Sequence, residues 1–365
     1  FILPNCIFVS LICCIFGFMV KYLTFELLSP QFRQWLLSFT TQQFWQFLLF
    51  ALEFWPNMKY MVSDENVNQD IFFLNTIILC NHSETPFDWI SLASLADYLD
   101  RFQNSFVFMK KEFAFVPAVG WIGSLNTAIP LQRDWNKDKI RIKTLANEFK
   151  KGKQGLYKYL TPWCWFFYPE GTRFSLKKLE KAQEFARERG FPVYNHLLQP
   201  RVKGFSYLAH HLYDVLGSII DSTCLYYPSP PKPFNFFWKT RLSKFTHLHL
   251  RVYRQNDIPH NNDNDDDDDL SSLNQWLRDR WTEKDQILNK MKNNQIKYTI
   301  LQRSPFRAIR YYIIWTICII YLLFNLIFNV GFILFCIILL SALFPVIIVL
   351  IEQSQEIIEI DDDSK

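Results

Sequence analysis

The sequence lacks several patterns that would settle its chemistry at once. Its eight cysteines form no Cys-x-x-Cys pair and no framework spacing, and Cys6, Cys13, Cys14, Cys318 and Cys336 lie in apolar runs, where a thiol behaves as a small hydrophobe. Neither a disulfide scaffold nor a metal site is expected. There is no Gly-x-Ser-x-Gly turn, which sets aside the hydrolases built on that elbow. No nucleic-acid module pattern is present. Among the seven histidines, His247 and His249 share one face of an alternating stretch without a third ligand and read as packing. His210 and His211 are adjacent on an expected helix and cannot both face one site.

What the chain has in excess is apolar residues. Half of its 365 residues are hydrophobic and 18% are aromatic, more than a soluble domain of this length needs for its core, so a membrane protein is the first expectation. The net charge of +4 hides an asymmetry. Residues 261–269 and 352–365 hold 12 acids and one lysine; elsewhere 38 cations face 23 acids, a balance suited to anionic lipid surfaces or phosphorylated ligands.

The distribution of these residues divides the chain. Residues 1–56 carry an uncharged apolar run, Phe1 to Val20, close to the ~20 residues a spanning helix needs, and an aromatic-rich segment, Phe32 to Trp55, whose Gln42, Gln43 and Gln46 suit an interfacial helix. Residues 57–300 are expected to form an α/β domain, a mixed sheet flanked by helices. Strands are expected at Ile77–Leu79, Ser105–Met109, Ala128–Leu131, Trp163–Tyr168 and Leu248–Tyr253, and helices at Asp88–Leu99, Lys137–Lys151, Leu176–Arg189, Phe205–Leu212 and Ser271–Lys292. The acid and asparagine run at 261–269 reads as a solvated loop. Residues 301–351 contain a nearly unbroken apolar stretch long enough for a hairpin of two transmembrane helices, and 352–365 are an acidic tail. These ends together predict an integral membrane protein.

Four motifs carry candidate chemistry. In Ile77 to Trp89, four apolar residues give way abruptly to Asn81 and His82, which suits a buried strand opening into a turn, the place where α/β proteins hold their reactive groups. His82 can take a proton from a hydroxyl near neutral pH, and Asp88 can hold its other ring nitrogen; the same pair also fits a histidine beside a helix start. The run Phe167 to Arg173 is the second strand end. There Gly171 permits close backbone approach, Arg173 offers a planar fork to a phosphate, Thr172 lies between them, and Glu170 could orient the arginine or accept from a hydroxyl; a turn with a surface ion pair is the bland reading. Lys110 and Lys111 precede an apolar stretch through Trp121, suiting a phosphorylated donor with an acyl groove beside it, or a solvated charge pair. In Leu197 to Phe205, Arg201 and Lys203 on alternate residues, followed by Gly204, suit a phosphate.

With Asn-His near an Asp, Glu-Gly-Thr-Arg and Pro-Arg-Val-Lys-Gly in this order, the chain resembles the glycerolipid acyltransferase family, and within it the branch of lysocardiolipin and membrane-anchored 1-acylglycerol-3-phosphate acyltransferases. The likeness extends over Lys110–Trp121, Arg133-Asp134-Trp135, Phe174–Phe205, His247–Tyr253 and Gln275–Leu288 with its Trp-x-Glu-Lys-Asp core. It implies a direct acyl transfer from acyl-CoA to a lysophospholipid hydroxyl at a lipid bilayer, that of the endoplasmic reticulum or of a mitochondrial membrane, with no cofactor. By the resemblance, His82 is the general base, Asp88 orients it, and Glu170, Gly171, Thr172 and Arg173 bind the acceptor's phosphate. Lys110, Lys111, Arg201, Lys203 and Gly204 are further contacts for acyl-CoA or phosphate. One departure stands out. The family pattern has four residues between histidine and aspartate, whereas Ser83 to Phe87 puts five here and Phe87 at the aspartate's place. Three outcomes are open: a bulge near Pro86 that restores the dyad through Asp88, substitution by Glu84, or a lost geometry. The last would leave an impaired relative that serves as a lipid-binding subunit of a membrane-protein complex.

Overall fold

The computed structural model describes residues 2–23, 27–54, 58–65, 67, 69–85, 88–116, 119–126, 128–157, 160, 162–227, 245–260, 270–301, 313, 316, 317 and 320. The chain divides into two units, Phe1–Tyr311 and Tyr312–Lys365, and the first carries everything below. Among the described residues eight strands form one sheet: β1 (Lys59–Glu65), β2 (Thr76–Cys80), β3 (Ser105–Lys110), β4 (Ala128–Leu131), β5 (Cys164–Phe167), β6 (Ser218–Tyr227), β7 (Phe245–Arg254) and β8 (Thr299–Ile300). Their spatial order is β4-β3-β5-β2-β6-β7-β1-β8. From β4 to β6 all neighbours are parallel, β6 and β7 are antiparallel, β7 and β1 parallel, β1 and β8 antiparallel. The mixed α/β expectation therefore holds.

The α-helices described are α1 (Ile2–Phe18), α2 (Pro30–Phe54), α3 (Asp88–Tyr98), α4 (Val119–Asn126), α5 (Trp135–Lys150), α6 (Leu176–Arg189), α7 (Val202–Leu212) and α8 (Ser271–Lys292). Every residue of β2 is buried, and its side chains alternate between two cores, as a strand's period of two requires. Ile77 and Leu79 join Phe106, Trp165, Leu208, Leu277 and Trp281 on one face; Ile78 and Cys80 join Ile90, Leu95, Phe166 and Ile220 on the other. A strand covered on both faces in this way reads as an unbroken apolar run.

The membrane expectation is corrected. Among the described residues no helix is long and apolar enough to cross a membrane. The first apolar run gives an α-helix, Ile2–Phe18, that passes into a π-helical turn at Met19–Leu23. The second segment is longer, but its polar middle meets protein: Gln46 donates to Asp97 of α3, Trp45 lies against Trp89 with ring centroids 5.0 Å apart, and Phe44, Phe47 and Leu49 are buried. An integral protein of the endoplasmic reticulum or mitochondrial membrane is thus not the reading these helices support. The expected hairpin between Tyr311 and Ile351 and the acidic runs lie outside the described residues, apart from four positions in the hairpin.

Candidate active site

Parallel strands end together, so β2, β3, β4 and β5 deliver their C-terminal residues to one edge of the sheet. His82 follows β2, Lys110 closes β3, Arg133 follows β4, and Tyr168 to Arg173 follow β5. Asn81 extends β2 by one rung through its side chain. Its Nδ2 donates to the Cys224 carbonyl at 3.0 Å and its Oδ1 accepts from the Cys224 N–H at 2.8 Å, as a backbone amide would. The next residue, His82, therefore leaves the sheet from a fixed point.

Asp88 is the first residue of α3 and lies at 2.9 Å, Oδ2 to Nδ1, from His82. The same Oδ2 accepts the Ser83 N–H at 3.1 Å, and Oδ1 accepts the Ser83 hydroxyl. Three donors thus fix the carboxylate despite the extra residue in the loop; Pro86 and Phe87 lie outside the described residues. Glu84 is exposed, and Asp88 occupies the orienting position. His82 stacks on Tyr168 with centroids 4.1 Å apart and rings within 10° of parallel, which sets the plane of the imidazole and leaves Nε2 as the atom for a substrate proton.

Glu170 is 2% exposed. Among the described residues neither carboxyl oxygen has a hydrogen bond of good geometry, although the His82 amide approaches them. Burial, reinforced by the negative charge of Asp88, pushes its carboxyl well above the usual carboxylate range. Glu170 does not orient Arg173, which is exposed; a neutral carboxyl there can instead donate a hydrogen bond. Gly171 takes φ +63, and a Cβ on it would lie 3.2 Å from Cδ of Arg201, so the absence of a side chain lets the arginine cross over the turn. The Arg201 N–H donates to the Pro169 carbonyl at 2.7 Å, joining the second and fourth motifs.

The basic residues separate into groups. Lys178 of α6 donates to the Thr172 hydroxyl at 2.7 Å and to the Arg173 carbonyl at 2.8 Å. Partial burial and the positive charges of Arg133, Lys178 and Arg173 hold the Lys110 ammonium below its usual range. An anion would relieve that crowding. Arg133 is presented by Asp138 of α5, whose carboxylate accepts the backbone N–H groups of Gln132 and Arg133 at 2.9 and 3.0 Å. Lys111 opens the exposed turn beyond β3, and Lys203 is exposed in the first turn of α7. Gly204, on the same turn, has Phe167 3.4 Å from where its Cβ would lie.

Residues 60–213 match the acyltransferase family model. The chain is 27% identical over 247 residues to 1-acyl-sn-glycerol-3-phosphate acyltransferase 2 of Arabidopsis thaliana and 29% identical over 249 residues to its namesake in Brassica oleracea, in each case over 67% of this chain and 59% of the relative. It is 28% identical over 239 residues to the human delta form, 65% of this chain and 59% of that one. Over residues 60–213 the chain is thus similar to the acyltransferase family, and the relatives it resembles are 1-acylglycerol-3-phosphate acyltransferases.

The chain spans about three fifths of the length of these relatives. Within the acyltransferase domain, the four sequence motifs all reach the C-terminal edge of the sheet or the loops beside it. Ser83, Tyr168, Arg133 and Lys178 join the site without being candidates from the sequence, where Arg133 enters only through the Arg133-Asp134-Trp135 likeness. Tyr168 stands in the second motif, and an aromatic side chain there was the available signal. Ser83 gave none.

Proposed function

We propose that this acyltransferase domain moves a fatty acyl group from acyl-CoA to the free hydroxyl of a lysophospholipid, with 1-acylglycerol-3-phosphate as the leading acceptor. The His82–Asp88 contact at 2.9 Å carries the reading. With Nδ1–H donated to Asp88, Nε2 of His82 takes the acceptor's hydroxyl proton as the oxygen attacks the thioester carbonyl. The tetrahedral intermediate collapses, the carbon–sulfur bond breaks, and the CoA sulfur leaves with a proton. Asp88 stabilises the imidazolium formed in between. The acceptor's phosphate is read by Arg173, Lys178, Lys110 and Arg133, with Glu170 in its neutral form donating to a phosphate or ester oxygen. The names of the relatives favour a phosphate monoester headgroup over a lysocardiolipin.

The alternative of an impaired, lipid-binding subunit rested on the five-residue spacing, and the formed dyad weighs against it. The test is release of free CoA from oleoyl-CoA, with each lysophospholipid in turn. Acceptor-dependent release should fall by about 10²–10⁴-fold in His82→Ala, the range expected on losing a positioned base. Release that is unchanged in His82→Ala, or absent from folded wild-type protein with every acceptor, would sink the proposal.

A further inference from the structure

One helix outside the stretch matched by the family model reaches under the site. On α8, Trp281, Lys284 and Asp285 stand at helical spacing of three and four and share a face. Lys284 is 0% exposed and pairs with Asp221 of β6, itself 2% exposed. The Lys284 ammonium donates to the Ser222 carbonyl at 2.7 Å and to the Leu79 carbonyl at 3.4 Å, with the Thr223 hydroxyl at 3.5 Å. In the sheet, Leu79 of β2 is registered with Asp221 and Cys80 with Ser222. The ammonium therefore ties β2 to β6 on the last rungs before the Asn81 clamp and His82. A buried ion pair is a poor way to stabilise a fold, since a well-packed apolar pair commonly does as well or better. Its place at the root of the catalytic loop suggests another use.

We infer that Lys284, acting through the Leu79 and Ser222 carbonyls, is a positioning residue that sets where His82 and Asp88 meet. The inference rests on the acyl-transfer reading of the same site. The ammonium's field also reaches upward, where it favours the charged form of Glu170. The neighbouring residues of α8 hold the other side of the site. The Trp281 indole N–H donates to the Leu198 carbonyl at 3.1 Å, and Asp285 accepts the His196 N–H at 2.7 Å. Both fix the segment that leads to Arg201 over Gly171.

The test uses the full chain with Lys284→Met, Lys284→Arg and the paired change Asp221→Leu with Lys284→Leu, which removes both charges together. Two readouts are needed: acceptor-dependent CoA release split into kcat and KM, and the downfield proton resonance of His82 Nδ1–H, assigned by its absence in His82→Ala. Positioning predicts that kcat falls by roughly 10²-fold in Lys284→Met, as expected for a misplacement near 1 Å, with KM for the acceptor little changed and the resonance shifted or lost. Lys284→Arg should recover part of kcat, and the paired apolar change should restore thermal stability without restoring kcat or the resonance. A paired variant with wild-type kcat and resonance would overturn the inference, as would Lys284→Met with lowered stability but an unmoved resonance and normal kcat per folded molecule. If Lys284→Met does not fold, the paired variant decides. A wild-type protein without CoA release would defeat the acyl-transfer reading alone, because the resonance comparison still reports on the dyad.

Discussion

At the scale of single residues, the dyad's tolerance of an extra loop position traces to Asp88, which accepts three hydrogen bonds from two consecutive residues. Ser83→Ala removes the hydroxyl donor while keeping the amide. A charge-assisted bond is worth about 1.5–3 kcal/mol, so the melting temperature should fall by several degrees, and kcat, which depends on the carboxylate's aim, on the order of 10-fold, with little change in KM. An unchanged kcat would mean that His82 and the Ser83 amide suffice to hold the carboxylate. Glu170 makes a different prediction. Its carboxyl ordinarily titrates at 4.5 and is raised well above that by burial, so above pH 4.5 the unfolded chain loses a proton that the folded protein keeps. Stability then falls as pH rises from 4.5 towards the folded value. Glu170→Gln removes that term, so its melting temperature relative to wild type should climb across the same interval. A difference that stays flat with pH would show that Glu170 is ionised in the folded protein.

At the scale of elements, the turn after β5 depends on Gly171 in the left-handed region, φ +63, with Arg201 close above it. Gly171→Ala adds backbone strain of about 1–2 kcal/mol and presses on Arg201. The expected result is a lower melting temperature together with a raised KM for a phosphate-bearing acceptor, because the same turn carries Arg173; an unaltered KM would show that this turn's backbone does not set the phosphate contacts. How legible the elements were in the sequence follows from how they are buried. Strands β2, β4 and β5 are short runs that are apolar but for Thr76 and Pro130, and they were found within a residue or so at each end. Helices α6 and α8 were found at their full lengths, because each alternates charge with an apolar stripe. Strand β6 was missed. Its middle reads Asp221, Ser222, Thr223, and nothing local says that a lysine more than sixty positions later makes that triplet buriable. Strand β1, with Ser63, Asp64 and Glu65 at its end, and the eight-residue α4 were too polar or too short to announce themselves. The membrane expectation failed for a related reason: apolar helices that pack on a protein core carry the same composition as helices that face lipid.

At the scale of the molecule, the stretch matched by the family model, 60–213, does not contain the parts that complete its own core. Strand β2, which leads into the dyad, lies between β5 and β6, and β6 begins only at Ser218. A chain ending at 213 leaves the Thr76–Cys80 backbone without the partners Ser218–Ser222, turning a buried strand into an exposed edge. It also uncovers the face that Leu273, Leu277, Trp281 and Leu288 of α8 pack against. Burying four such side chains contributes roughly 6–12 kcal/mol at about 1.5–3 kcal/mol each, comparable with the 5–15 kcal/mol net stability of a typical domain. Residues 1–213 alone should therefore fail to fold: no cooperative thermal transition, strong binding of a hydrophobic dye and poor solubility, against a single sharp transition for the full chain. Separate addition of a peptide covering Ser271–Lys292 should not rescue the fragment, because β6 and β7 would still be missing. A cooperative transition from residues 1–213 would mean that the core closes without β6, β7 and α8, with β2 as a stable edge.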